Sequence, residues 1–327
     1  MRHRVKGSIS AVTAAAVFGI LTSLALTQSA PQTPAVRPAG GLFRTAGKPD
    51  FSGVWQANNT AHWDLQDHEP RPMVAQPGVT ARSVVLAAPV VGLGTIGWVP
   101  AGRGVVEGEQ IPYLPWAAAR KKENLEHWLD RDPEIKCFQP GVPRAMYMPF
   151  PFQIIQSSSK IMMVFEFANA QRTIHMDKVD PYPNVAYMGH SVGRWEGDTL
   201  VVDVTNFTDA TWFDRSGNFH SDALHVVERY TAITRDALRY EATIEDAQVF
   251  SRPWKISMPL YRRLEPNAQL TDFRCVEMVE ETIYGHLRKD QLVRRWSGDT
   301  MTVDITRKIP PGEAVHERYV SGNPPAR

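Results

Sequence analysis

One twelve-residue phrase occurs twice in this chain, and it limits what the second half can fold into. Residues 194–205 read Arg-Trp-Glu-Gly-Asp-Thr-Leu-Val-Val-Asp-Val-Thr, and residues 295–306 read Arg-Trp-Ser-Gly-Asp-Thr-Met-Thr-Val-Asp-Ile-Thr. Nine of the twelve paired positions are identical or exchange one aliphatic residue for another. The order is strand, tight Gly-Asp turn, strand, which describes a β-hairpin. Ser297 stands where the first copy has Glu196, so the shared Arg, Trp, Gly, Asp and Thr read as hairpin grammar. Asp198 and Asp299 are turn residues on that ground.

From residue 152 onward the hydrophobic period is two. Ile161, Met163, Phe165 and Phe167 alternate along one run, and Leu200, Val202 and Val204 along another. Leu224, Val226 and Tyr230 share a face, as do Leu238, Tyr240, Ala242 and Ile244, and then Trp254, Ile256, Met258 and Leu260. Each such strand has one apolar face. The connections at 157–159, 169–170, 196–198 and 235–236 are short, which pairs sequence neighbours antiparallel. Many one-faced strands in series must close or stack to hide that face and their edges. The expected fold is therefore mainly β: an antiparallel meander closing into a lipocalin-like barrel, with a two-sheet sandwich as the alternative. One helix is expected over residues 116–129, opened by Pro115 and ended by Asp132-Pro133, flanking or plugging one end.

The remaining boundaries follow from composition. Residues 1–30 read as a signal peptide, with Arg2, His3, Arg4 and Lys6 before an apolar stretch and small residues ending near Ala30. An uncleaved anchor is the alternative. Residues 31–49, rich in Pro, Ala and Gly, read as a flexible tether. Residues 50–150 form a loop-rich appendage carrying the helix, although 49–55 looks like a strand opened by a turn. The barrel is expected over 151–310 and a tail over 311–327. The Gly-rich stretch 91–108 contains no phosphate-binding pattern and reads as a mobile surface loop. The expected location is periplasmic or secreted, with no stable membrane insertion once the signal is removed. Only two cysteines occur, Cys137 and Cys275. In an oxidising compartment they suggest a bridge, the alternative being two buried thiols. A net charge of +1 gives no basic footprint, which excludes nucleic acid as a partner.

Several phrases bring a family to mind. They are Pro115-Trp116-Ala117, Cys137-x-x-Pro-Gly-Val-Pro-Arg144, Pro149-Phe150-Pro151-Phe152-x-Ile154-x-Gln156, the run from Gly189 through Val202, His220-Ser221-Asp222-Ala223-Leu224-His225-Val226-x-Glu228-Arg229, and Arg252-Pro253-Trp254. Together they resemble a large group of mostly uncharacterised exported bacterial proteins. The resemblance covers roughly residues 110–280 and implies export and a single β-rich unit. It implies no activity. The second hairpin phrase lies beyond it, as an extension of this chain.

The richest candidate for chemistry is the segment 207–222, far longer than its neighbouring connections. It carries Asp209, Asp214, His220 and Asp222, with Trp212 and Phe213 to shape a pocket. His220 and Asp222 are two residues apart and share a face if extended, making a usable base. The alternative is a plain turn at Asp214–Asn218. Calcium on Asp209, Asp214 and Asn218 lacks the spacing of a calcium loop. A second candidate is the strand 188–196, where His190, Arg194 and Glu196 share a face. If that face looks inward, Glu196 is an acid and Arg194 an anion clamp; if outward, it is a salt-bridged surface. His175 and Asp177 with His190 or His220 contain no metal-binding spacing, so no metal is assigned. Ser191 sits in Gly-x-Ser-x-Gly, but a strand follows it where a nucleophile elbow needs a helix. Arg252 and Trp254 are placed at a cavity mouth.

Two function classes follow. The first is an exported small-molecule enzyme using no cofactor, a lyase, hydratase or isomerase acting by acid/base chemistry on an apolar or glycosidic substrate. Its catalytic residues would be His220, Asp222, Glu196 and His190, and its substrate contacts Arg194, Trp212, Asp214, Arg252 and Trp254. The second is a non-catalytic periplasmic ligand-binding or carrier barrel.

Overall fold

The computed structural model describes residues 41–72, 75–77, 84–86, 98–108, 110–277, 279, 296, 297, 300 and 301. The expected signal peptide, the tail and residues 91–97 of the Gly-rich stretch lie outside the described residues. Nine strands close into one barrel: β1 (Gly53–Ala57), β2 (Phe152–Gln156), β3 (Lys160–Phe165), β4 (Gln171–His175), β5 (His190–Glu196), β6 (Thr199–Thr205), β7 (His225–Thr234), β8 (Ala237–Glu245) and β9 (Trp254–Arg262). Each pairs with its neighbours in sequence, and β9 pairs with β1 to close the ring. The fold is a mainly β, lipocalin-like barrel.

Two details correct the sequence-based expectation. The barrel begins at Gly53, not at 151, because β1 supplies the strand between β9 and β2. The meander is also not wholly antiparallel: β4 and β5 run parallel, pairing Ile174 with Ser191 and His175 with Val192. The reason is parity. A closed ring of nine strands cannot alternate direction all the way round, so one junction must be parallel. A parallel junction needs a connection of a dozen or so residues, and the segment between His175 and His190 supplies it.

The inward side of the strands is mostly apolar or small, with Arg172 of β4 and Glu228 of β7 as charged exceptions. Trp254, Ile256, Met258 and Leu260 of β9, Leu238, Tyr240, Ala242 and Ile244 of β8, and Leu200, Val202 and Val204 of β6 join one buried cluster. Gly193 on β5 is required by closeness, since a Cβ there would lie 2.7 Å from Ile174 Cγ2. The first copy of the repeated phrase is the β5–β6 hairpin, with Gly197 at φ +61° in its turn. The second copy is paired antiparallel at Trp296–Ser297 and Thr300–Met301, a separate two-stranded sheet outside the barrel. Residues 41–49 are not a plain tether: Arg44–Thr45 pairs with Lys48–Pro49, and Arg44 grips Asp198 at 2.7 Å.

The expected helix is present as α1 (Pro115–Glu126) and a short α2 (Trp128–Arg131), broken at His127, which leaves helical geometry at φ −115° and ψ 31°. The helix packs on the β6–β7 and β8–β9 connections at one barrel end: Leu114 N–H donates to Val249 O, and Asn124 Nδ2 donates to Gly217 O. The bridge between Cys137 and Cys275 is formed and ties the segment after α2 to the chain beyond β9.

Candidate functional site

The β6–β7 connection folds inward instead of projecting. Trp212 pairs with Phe219, and Phe213 N–H donates to Asn218 O at 2.7 Å, so its middle is a small hairpin of its own. Gly217 at its tip has φ +82° and lies against the α1 backbone; a Cβ there would be 2.8 Å from Leu125 N. Between this hairpin, α1 and the β8–β9 connection lies a groove of about 630 Å³. One helix face lines it with Trp116, Arg120 and Asn124, spaced by four residues. Arg131 of α2 and Lys136 line it, and Asp209, Trp212, Phe219, His220 and Ser221 form the facing wall. None of these residues belongs to a barrel strand. Trp116 is 55 % exposed and meets Phe219 edge-on at 6.0 Å.

His220 is the buried titratable group of this wall. Its Nδ1 lies 2.8 Å from the Ser221 carbonyl, which can only accept, so Nδ1 carries a proton. Its Nε2 lies 2.6 Å from Thr211 Oγ1. Burial lowers the His220 pKa, so the imidazole is neutral and Nε2 accepts from the Thr211 hydroxyl. Ser221 is fixed in turn by Asp246, whose carboxylate accepts from Ser221 N–H at 2.7 Å and from its hydroxyl at 3.0 Å. A chain Asp246–Ser221–His220–Thr211 therefore runs behind the groove, reaching its wall at His220 and Ser221. Sequence reasoning missed Thr211 and Asp246. His220 and Ser221 fall within a quoted motif, but which carboxylate serves them is set by the turn after β8.

The other sequence candidates are dispersed. Asp222 is exposed and makes no contact with His220; the chain reverses at 221–224, which turns it outward. Asp214 is fully buried and holds the hairpin instead of a substrate. Its carboxylate accepts from Leu65 N–H (2.8 Å), Ser216 N–H (2.9 Å) and the Asn218 side chain (2.5 Å). Burial and the nearby Asp64 push its pKa up to about 7, against those donors. Glu196 and Arg194 face outward: Arg194 pairs with Asp203 at 2.8 Å and Glu196 with Arg229 at 2.9 Å. The pleat put the small residues of β5 inside, so its charged face is the solvated one. His190 bonds the Val179 carbonyl at 2.9 Å and stacks on His175, away from any acid partner of the expected kind. Arg252 is exposed and, among the described residues, donates to the Pro253 carbonyl alone. Trp254 is 3 % exposed, edge-on to Phe213 and Phe250, so it fills the barrel end and does not line a mouth. Of the named candidates, His220 and Trp212 reach the groove, with Asp209 beside them. Among the described residues no group of three His, Cys, Asp or Glu is placed to hold a metal ion.

Two buried ionic clusters lie outside the groove. Inside the barrel, Arg172 of β4 pairs with Glu228 of β7 at 2.7 Å, and the hydroxyls of Tyr230 and Tyr240 each donate to Glu228 at 2.8 Å. Behind α2, Glu134 accepts from Arg144 (2.7 Å) and Arg215 (2.8 Å) and meets His62 at 3.2 Å. Burial raises the Glu134 pKa, but Arg215, His62 and Arg144 outweigh it and hold the carboxyl well below its usual range.

Among the described residues no helix is long and apolar enough to cross a membrane. No family model, curated protein or solved structure matches this chain.

Proposed function

We propose that the chain binds a small molecule in the groove beside α1 and does not use its barrel as a container. One observation carries this. A groove of about 630 Å³, walled by Trp116, Trp212 and Phe219 with polar groups between them, stands outside a barrel whose inward side chains form a buried cluster. That volume lies in the range of about 300–1,000 Å³ usual for small-molecule sites. Trp116 leaves more than half of its surface open there, and a flat ligand face would cover it. Export fits the bridge between Cys137 and Cys275, which persists in oxidising compartments, and the resemblance to exported proteins. The test is native mass spectrometry of the protein recovered from its own cell envelope. A retained small molecule that is lost in Trp116→Ala is the expected result, and a ligand retained equally by that variant contradicts the proposal.

An acid/base enzyme, a lyase, hydratase or isomerase, is the second reading. The contact of 2.6 Å between Thr211 Oγ1 and a neutral His220 favours it. The lone pair of Nε2 is engaged by Thr211, which is buried and does not line the groove, so His220 would take a proton at Nε2 once that hydroxyl turns away and return it from the same atom. His220→Gln then abolishes turnover while the retained ligand stays bound as substrate. A carrier predicts unchanged retention and no product in either protein.

A further inference from the structure

We infer that the ligand of this groove carries a carboxylate on a ring with a flat apolar face, its negative charge held at Lys136 and Arg120. This rests on the proposal that the groove binds a small molecule, and it adds the chemical class.

The charges that line the groove are Arg120, Arg131 and Lys136 against Asp209 alone. Arg131 is engaged by Glu123 at 2.7 Å, and Arg120 reaches the other oxygen of that carboxylate at 3.6 Å. Lys136 has no ion-pair or hydrogen-bond partner among the described residues, yet it is half-buried. A partly desolvated ammonium without a counter-charge is unfavourable, and an anion seated against it removes the penalty. The position is also fixed. Lys136 ends a 3-10 turn whose start is capped by Asp132, accepting from Glu134 N–H, and whose next residue, Cys137, is tied to Cys275. Trp116, Arg120 and Asn124 line the same groove as Lys136, so one ligand can lay a ring on Trp116 while its charge meets Lys136 and Arg120. A carboxylate suits the space between a point-charge ammonium and a guanidinium, which bonds it through two donors.

Such a ring belongs to an aromatic acid or a uronic sugar, since Trp faces stack on both. The experiment is isothermal titration of the full chain with 2-naphthoate against 2-naphthamide, and with digalacturonate against neutral galactobiose. In at least one pair the acid binds roughly tenfold or more tightly than its neutral partner, the worth of one charge-assisted contact. The pair that discriminates identifies the ring. Lys136→Met, and separately Arg120→Gln on the exposed helix face, reduce the discrimination without moving the melting temperature. Equal binding of acid and neutral partner, unchanged in both variants, overturns the anionic class and leaves the groove proposal standing. Failure of all four probes to bind overturns both.

Discussion

Glu228 shows how a single residue is both legible and opaque. Its parity with Val226 and Tyr230 places it on the inward face of β7, yet nothing in the linear pattern names Arg172, 56 positions earlier, as its partner. Burial lowers the Arg172 pKa, but Glu228 and the tyrosines outweigh it and keep the guanidinium charged. Removing one member of such a pair strands the other, at a cost of about 3–5 kcal/mol. Arg172→Met should therefore lower the urea midpoint sharply, and adding Glu228→Leu should restore much of the loss; a near-neutral single variant contradicts a fully enclosed pair. His220 is the converse case. The sequence singled it out, and the structure seats it in the groove wall, but the residue that shares its proton is Thr211, which carried no signal. Asp222, two residues away, was the natural partner on an extended strand; a turn intervened. If the imidazole is only a hairpin staple, Thr211→Val and His220→Gln cost similar stability and neither alters ligand turnover.

At the scale of elements, strand existence was readable because period-two alternation runs through β3 and β6 to β9. The parallel β4–β5 junction was not readable, because it follows from the count of strands, and β1 lies almost a hundred residues ahead of the others. That junction pairs only two residues on each strand, whereas β7 and β8 pair along nearly their whole length. Backbone amides of β4 and β5 should exchange with solvent faster than those of β7 and β8; the reverse order would contradict the seam. The helix–hairpin contact is a second element-level device. Gly217→Ala puts a methyl group into the α1 backbone at a positive φ, which costs about 1–3 kcal/mol where such a conformation is enforced. It should also weaken ligand binding in the groove, read by titration beside the melting temperature. The bridge from Cys137 to Cys275 closes a separation of 138 residues, and its loss should cost up to about 4–5 kcal/mol in the chain-entropy picture.

At the scale of the whole molecule, a net charge of +1 hides how much charge is internal. Those internal groups set the response to pH. Burial lowers the pKa of both His62 and His220 below the ordinary histidine value of about 6.5. The unfolded chain then binds protons that the native state refuses, so stability is full above that value and falls as pH drops through the folded pKa values. Asp214, raised by burial and Asp64, acts in the opposite direction between about pH 4 and 7, as its native state holds the proton longer. His225 resists burial through Asp203 and Glu245, which raise it, and its contribution fades as pH rises. The wild-type curve is a sum, and a variant isolates one part of it. His220→Gln should lose less stability than the wild type between pH 7 and 5, by at most about 1.4 kcal/mol per pH unit. An identical pH slope in both proteins contradicts a neutral, buried His220.

A ligand seated outside a filled barrel is one that tryptophan reports directly. Trp116 and Trp212 line the groove, while Trp55 and Trp254 are buried in the barrel core. Indole N–H resonances of the 15N-labelled protein, followed during titration with whichever ring acid binds, should shift for Trp116 and Trp212 and hold still for Trp55 and Trp254. Shifts confined to Trp55 and Trp254 would place the ligand inside the barrel and contradict a groove-bound ligand.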